Sequence, residues 1–135
     1  MINCNNGKKA HNDSAMIKVG RIRYNSWATK TLSAADIYIF ESELVHITKR
    51  HSKELGTIGM TSIDFVKFIT SNYNEIRKGS GDSFWLVVRR NKTSNFAAIE
   101  LTEISKRNNI YIVKSASPVN SKQLEKKELL CANDR

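Results

Sequence analysis

The chain is poor in cysteine and has no long apolar run. Its two cysteines, Cys4 and Cys131, stand near opposite ends of the 135 residues. Neither has a second cysteine or a nearby histidine to complete a ligand pair, which argues against structural zinc. They read as free thiols in a reducing compartment, with a terminal-to-terminal disulfide as the alternative. No stretch approaches the roughly 20 apolar residues of a membrane span, and residues 1–20 lack the apolar centre of a secretory signal. The compartment of action therefore reads as cytosolic, while a domain carried in on a larger chain would show no signal of its own. Also absent are a Walker loop, a dinucleotide-binding glycine pattern and a serine elbow, so no cofactor is expected. Acidic residues are the minority charge, 13 Asp plus Glu against 22 Lys plus Arg, for a net +9. That surplus favours a polyanionic partner: nucleic acid first, an acidic protein second, a membrane surface third, with bare solubility as the plain alternative.

What is present reads as one α+β domain. At 40% hydrophobic, 135 residues suffice for a single core and not for two ordinary ones. Residues 1–15 are rich in Asn, Gly and Lys and read as a flexible leader or linker remnant, leaving 16–135 as the domain. Across residues 1–33, Lys8, Lys9, Lys18, Arg21, Arg23 and Lys30 face only Asp13, which makes this segment a candidate substrate-gripping arm. Ile17, Val19, Ile22, Tyr24 and Trp27 suggest a short strand, and Asp36–Phe40 an extended lead-in. A helix is predicted from Glu41, with Ser42 as a cap, carrying Leu44, Ile47, Thr48, His51 and Leu55 on one face. Gly56 and Gly59 end it. Thr61 to Asp64 caps a second helix predicted to run to Lys78 and to cover the core face of a sheet.

That sheet is expected from Ser83 to Val119. Phe84, Leu86 and Val88 alternate with Trp85, Val87 and Arg89; Ala97, Ile99 and Leu101 alternate with Phe96, Ala98, Glu100 and Thr102. A third period-two run, Ile110 to Ser117, is closed by Pro118, the only proline. Short polar connections make an antiparallel meander. In the third run either Ile110, Ile112, Lys114 and Ala116 or the alternating set with Ser115 and Ser117 faces the core; the pattern leaves both open. Ser121 opens a short C-terminal helix, Lys122–Leu130.

The remaining chemistry is acid–base work without a metal. RNA cleavage needs a base for the 2′-OH proton, cations for the developing phosphate charge and an acid for the leaving 5′-oxygen. His51, on the apolar helix face, is either a hydrogen-bonded histidine at the core edge or a proton-transfer group. His46 lies on a more polar arc, as a surface residue or phosphate contact. Lys114 in mid-strand needs solvent or a phosphate. Arg89 and Glu100 fall on the same sheet face and are expected within reach of each other, as a catalytic pair or an ordinary ion pair. Trp85 and Phe96 share that face, for base stacking or for packing under the terminal helix. Arg21, Arg23, Arg90, Lys122 and Lys126 complete the candidate RNA contacts.

Glu43-Leu44-Val45-His46-Ile47 with Arg50-His51, Glu54-Leu55-Gly56, Asp64-Phe65-Val66, Asn72-Tyr73-Asn74-Glu75-Ile76 with Gly79, Val113 to Val119, and Lys127 to Leu130 together resemble a phage-type nuclease domain of the barnase/EndoU/colicin/RelE superfamily, over residues 36–131. The resemblance implies N-terminal helices packed on one face of a curved antiparallel sheet and a short C-terminal helix. It implies metal-independent RNA cleavage, with tRNA as the expected substrate, by a domain at the end of a phage polyvalent protein or a contact-dependent growth-inhibition toxin. His46, His51, Lys114, Ser115 and Ser117 are the positions that match its motifs, along with Asn72–Glu75. Cys131 stands where relatives are expected to carry tryptophan. The expected partners are RNA, an acidic immunity protein and a larger delivery chain, and the expected place of action is the cytoplasm of a target cell. The rival readings are a non-catalytic RNA- or DNA-binding module and a protein-interaction domain for an acidic partner.

Overall fold

A computed structural model describes residues 15–22, 33–105 and 108–132. The expected leader before Ala15, and the roles considered for Cys4, Arg23, Tyr24 and Trp27, lie outside the described residues. In chain order the elements are β1 (Met16–Ile22), β2 (Ala35–Phe40), α1 (Glu41–Ile58), α2 (Ser62–Asn72), β3 (Glu75–Lys78), β4 (Ser83–Val88), β5 (Thr93–Ser105), β6 (Asn108–Asn120), a 3-10 helix (Ser121–Lys126) and β7 (Leu129–Ala132). The fold is α+β, with one seven-stranded sheet in the order β1-β2-β6-β5-β4-β3-β7. The expected meander is there as β4-β5-β6, antiparallel throughout. The sheet as a whole is mixed, because β2 runs parallel to β6 with Ile37 opposite Tyr111 and Tyr38 opposite Ile112. Among the described residues, two strands therefore precede α1 and α2.

α1 and α2 cover one face. Ile47 and Leu55 of α1, and Phe65, Val66 and Ile69 of α2, are buried against Ile37, Ile39, Leu86, Ala97, Ile99, Tyr111 and Val113 in one hydrophobic cluster. Phe40 occupies the cap position of α1 in extended conformation and offers no side-chain acceptor, so Ser42 is not the cap. Gly59 ends α1 in the left-handed conformation (φ 70°), which glycine adopts without a Cβ penalty. Gly56 instead lies inside the helix. Thr61 caps α2 as expected, its side chain accepting from the Asp64 N–H.

Three local expectations are corrected. α2 stops at Asn72 rather than Lys78, because Glu75–Lys78 pairs on both sides, with β4 and with β7. Asn74 fixes the turn, its N–H donating to the Val87 carbonyl and its side-chain oxygen accepting from the Arg89 N–H. The C-terminal helix is a single 3-10 segment ending at Lys126, and Leu129–Ala132 leaves it to pair with β3. Finally, neither alternating set of β6 faces the core throughout. The register shifts between Ala98 and Ile99, whose partners are Ser115 and Val113, so Lys114 is the extra residue of a bulge. Tyr111 and Val113 face the helices before the bulge and Ala116 after it.

On the opposite face the 3-10 helix buries Leu124. Arg77, 5% exposed, donates from Nε to Glu75 and from Nη1 to the Leu124 and Lys127 carbonyls, all at 2.8–2.9 Å. The residues at the 3-10 helix's end are thus held to β3 by one guanidinium.

Candidate functional site

Continuing the parallel register by two residues brings the end of β2, at Phe40, level with Lys114. α1 starts at that point and packs along β6, so the exposed His46 and Arg50 of its N-terminal half lie on the side of the β6 bulge, at the carboxyl end of β2; this junction is termed the crevice. Glu43, His46 and Arg50 follow the i, i+3, i+7 spacing that puts side chains on one helix stripe. The Arg50 guanidinium reaches His46 along this stripe, with Nη1 3.4 Å from Nε2. Lys114 Nζ stands 3.9 Å from Glu100 Oε1 on β5. Burial raises the Glu43 carboxyl above the ordinary carboxylate range, against the lowering pull of the charges on His46, Lys114 and Arg50. Those lowering contributions tie the helix stripe to Lys114: one half-buried carboxyl, one imidazole and two cations share a field.

Sequence reading singled out His46 and Lys114, whose charges both act on Glu43, and Glu100, which reaches the group only through Lys114 and from the sheet face away from α1. It missed Glu43 and Arg50 as site residues. Their spacing from His46 was a usable signal; the crevice that makes it meaningful depends on the parallel β2–β6 pair.

His51 lies elsewhere. Five residues from His46 on α1, it is turned roughly 140° around the axis, at a break in the helix where its backbone leaves helical angles (φ −127°, ψ 24°). Its side chain is 20% exposed, and Nδ1 is buried 3.6 Å from Glu54 Oε2, beyond hydrogen-bond distance. Glu54 lines a cavity of about 460 Å³ between the C-terminal half of α1, α2 and the end of the β5–β6 pair, with Phe65, Phe68, Arg90, Asn95 and Pro118 among its walls.

The expected Arg89–Glu100 pair does not form. β4 and β5 place Ser83, not Arg89, opposite Glu100, so the two side chains sit at opposite ends of the strand pair. Arg89 instead bonds Glu125 at 2.8 Å and approaches Glu75 at 3.8 Å, on the face covered by the 3-10 helix. That contact holds the exposed Glu125 carboxyl below its ordinary range. Ser115 and Ser117 are on this second face too, opposite Ala98 and Phe96, and the Ser117 hydroxyl donates to the Pro118 carbonyl at 2.7 Å.

Of the candidate RNA contacts, Arg21 shares Asp36 with Lys18, each at 3.5 Å. Arg90 is exposed beside the cavity, and Lys122 and Lys126 are exposed on the 3-10 helix. Trp85 is not open for stacking. Phe96 lies parallel to its ring at 3.6 Å between centroids, and the Lys127 ammonium sits 4.4 Å from that centroid. A ring stacked that closely leaves no room on its own side, so the cation covers the other face.

Among the described residues no group of three or more His, Cys, Asp or Glu side chains is placed to hold a metal ion, and no helix is long and apolar enough to cross a membrane. Cys131 is a half-buried free thiol on β7. No family model, curated protein or solved structure matches the chain.

Proposed function

We propose that the chain is a metal-independent endoribonuclease whose centre is the crevice between α1 and the β6 bulge. The observation that carries this reading is the electrostatic influence that His46, Arg50 and Lys114 all exert on the half-buried Glu43 carboxyl, which supports a base, an acid and two phosphate-binding cations acting together. A carboxyl raised by burial is closer to neutral pH and so better matched to exchanging the 2′-OH proton. In this scheme Glu43 takes that proton, and His46, released from Arg50 and protonated, gives one to the departing 5′-oxygen. Arg50 and Lys114 hold the phosphate oxygens on which charge accumulates. The product is a 2′,3′-cyclic phosphate. Between the two histidines, His46 is favoured, since His51 faces a different neighbourhood.

The barnase-like form of the sheet, tRNA as substrate, action in a target cell's cytoplasm, delivery on a larger toxin chain and an acidic immunity protein belong to the same proposal. The net +9 charge supports a polyanionic substrate and a complementary acidic inhibitor. Incubating the protein with total tRNA in EDTA, beside Glu43→Gln, His46→Ala and Lys114→Ala, tests it. Cyclic-phosphate ends from the wild type, and a loss of at least about 100-fold in each variant, are expected. Intact tRNA, or variants that cut equally well, removes the assignment. Salt-sensitive retention of RNA with no such product would give the chain to the binding-module reading.

A further inference from the structure

The cavity beside Glu54 is separate from the crevice, yet α1 connects them. Glu43, His46 and Arg50 share one stripe of α1 up to the break at His51, and Glu54 and Thr57 lie beyond the break, on the cavity. From Glu43 to Glu54 is roughly 16 Å at 1.5 Å per residue, the reach of a few nucleotides of an extended strand. Lys49 and Lys53 flank this stripe on its exposed side. The break at His51 falls just before the helix arrives at the cavity.

The cavity has the make-up of a site for a flat, edge-polar group. Its volume, about 460 Å³, lies within the roughly 300–1,000 Å³ of small-ligand sites. Phe65, Phe68 and Pro118 give it apolar walls, while Glu54, Asn95 and Arg90 bring an acceptor, an amide that both donates and accepts, and a cation. Apolar and aromatic walls with a few polar residues among them suit an unstacked base, and an exposed arginine beside them suits the adjoining phosphate.

We propose that this cavity is a nucleobase subsite, taking a base of single-stranded RNA a few nucleotides from the phosphate held at Lys114. The proposal rests on the ribonuclease reading for its strand path, but occupancy of the cavity is measurable without turnover. A strand bound this way runs along α1, and the subsite selects unpaired loops over duplex, where bases stay stacked.

The test titrates the intact, isotope-labelled protein with the four nucleoside 5′-monophosphates, ribose 5-phosphate as the probe without a base, and N-acetyltryptophan amide as a mimic of a protein side chain. Expected are amide shifts centred on residues 54–68 and 90–95, with at least one nucleotide binding 10-fold or more tighter than ribose 5-phosphate. Thr93→Trp, which fills the cavity from an exposed position, and Asn95→Ala are each expected to weaken that nucleotide 10-fold or more. Retained thermal unfolding of Thr93→Trp separates filling from misfolding. Equal binding of ribose 5-phosphate, shifts confined to Lys114 and its neighbours, or unchanged binding in both variants overturns the subsite. Tighter binding of N-acetyltryptophan amide than of any nucleotide also overturns it, assigning the cavity to a protein partner. Nucleotides in the cavity with tRNA left intact would defeat only the cleavage reading; cleaved tRNA with an empty cavity would defeat only the subsite.

Discussion

Trp85 and Phe96 stack with ring centroids 3.6 Å apart and planes within 5° of parallel, and Lys127 closes the tryptophan's remaining face. The pair joins β4 to β5 and gives the residue after the 3-10 helix something to rest on. Its role is therefore structural. Trp85→Ala is expected to lower stability by about 2 kcal/mol, below the usual core value because the ring is only half-buried. Cleavage per folded molecule should stay within twofold of wild type. Urea unfolding beside a tRNA assay checks both, and a large fall in cleavage with stability intact would return the ring to the substrate.

Glu43 links the crevice to the pH dependence of the fold. Its carboxyl titrates above the ordinary range when folded, so the native state binds that proton more tightly than the unfolded chain does. The ionised group thus weakens the fold as pH rises from the ordinary carboxylate range through the raised value, and has no such effect below it. Glu43→Gln should raise the melting temperature near pH 7, with the gain vanishing near pH 3, while cutting cleavage by about 10²- to 10⁴-fold. Melting curves across that span measure the first effect.

Arg77 is the least replaceable cation on the second face. Three of its bonds end on a carboxylate and two carbonyls, and a lysine cannot match that planar fork. Arg77→Lys and Arg77→Ala should each cost about 3–5 kcal/mol, since both leave buried acceptors unpaired. Denaturant midpoints would show it. A lysine variant close to wild type would mean the fork geometry does not matter.

Gly20 sits where β1 meets α2, at the register shift of the β1–β2 pair. A Cβ there would lie 2.7 Å from the Thr70 Cβ, and Thr70 is itself fixed by donating its hydroxyl proton to the Val19 carbonyl at 2.5 Å. Gly20→Ala should cost about 1–3 kcal/mol through this overlap. Thermal unfolding with unchanged cleavage per folded molecule is the expected pattern.

Alternation made β4 and β5 readable, because each strand keeps one phase: Leu86, Ala97 and Ile99 face the helices, and Trp85, Val87, Phe96 and Ala98 face away. β6 was not readable in the same way, since the bulge at Lys114 changes phase midway and a period-two count cannot locate an unpaired residue. The end of α2 was hidden for a related reason. Phe68, Ile69, Tyr73 and Ile76 do fit a helical stripe, but Ile76 gains two strand neighbours by leaving it. For the crevice, histidine and lysine drew attention by residue type. Glu43 did not, because an acidic residue in a first helical turn reads as ordinary until the strand order buries it. Arg89 and Glu100 share a face, as expected, yet register decides distance along a strand, and no local pattern carries it.

The parallel contact between Ile37 and Tyr111 also sets the order in which the molecule can be completed. β1 and β2 pair antiparallel early in the chain, but the other side of β2 has no partner until β6 is available. During synthesis on the ribosome, Ile37 and Ile39 would wait through both helices and three further strands before their neighbour emerges. Such distant closure slows folding and prolongs the exposure of an open strand edge. The crevice at Lys114, which exists only once that closure has happened, would then be among the last features to form, and a nascent or partly folded chain would lack it.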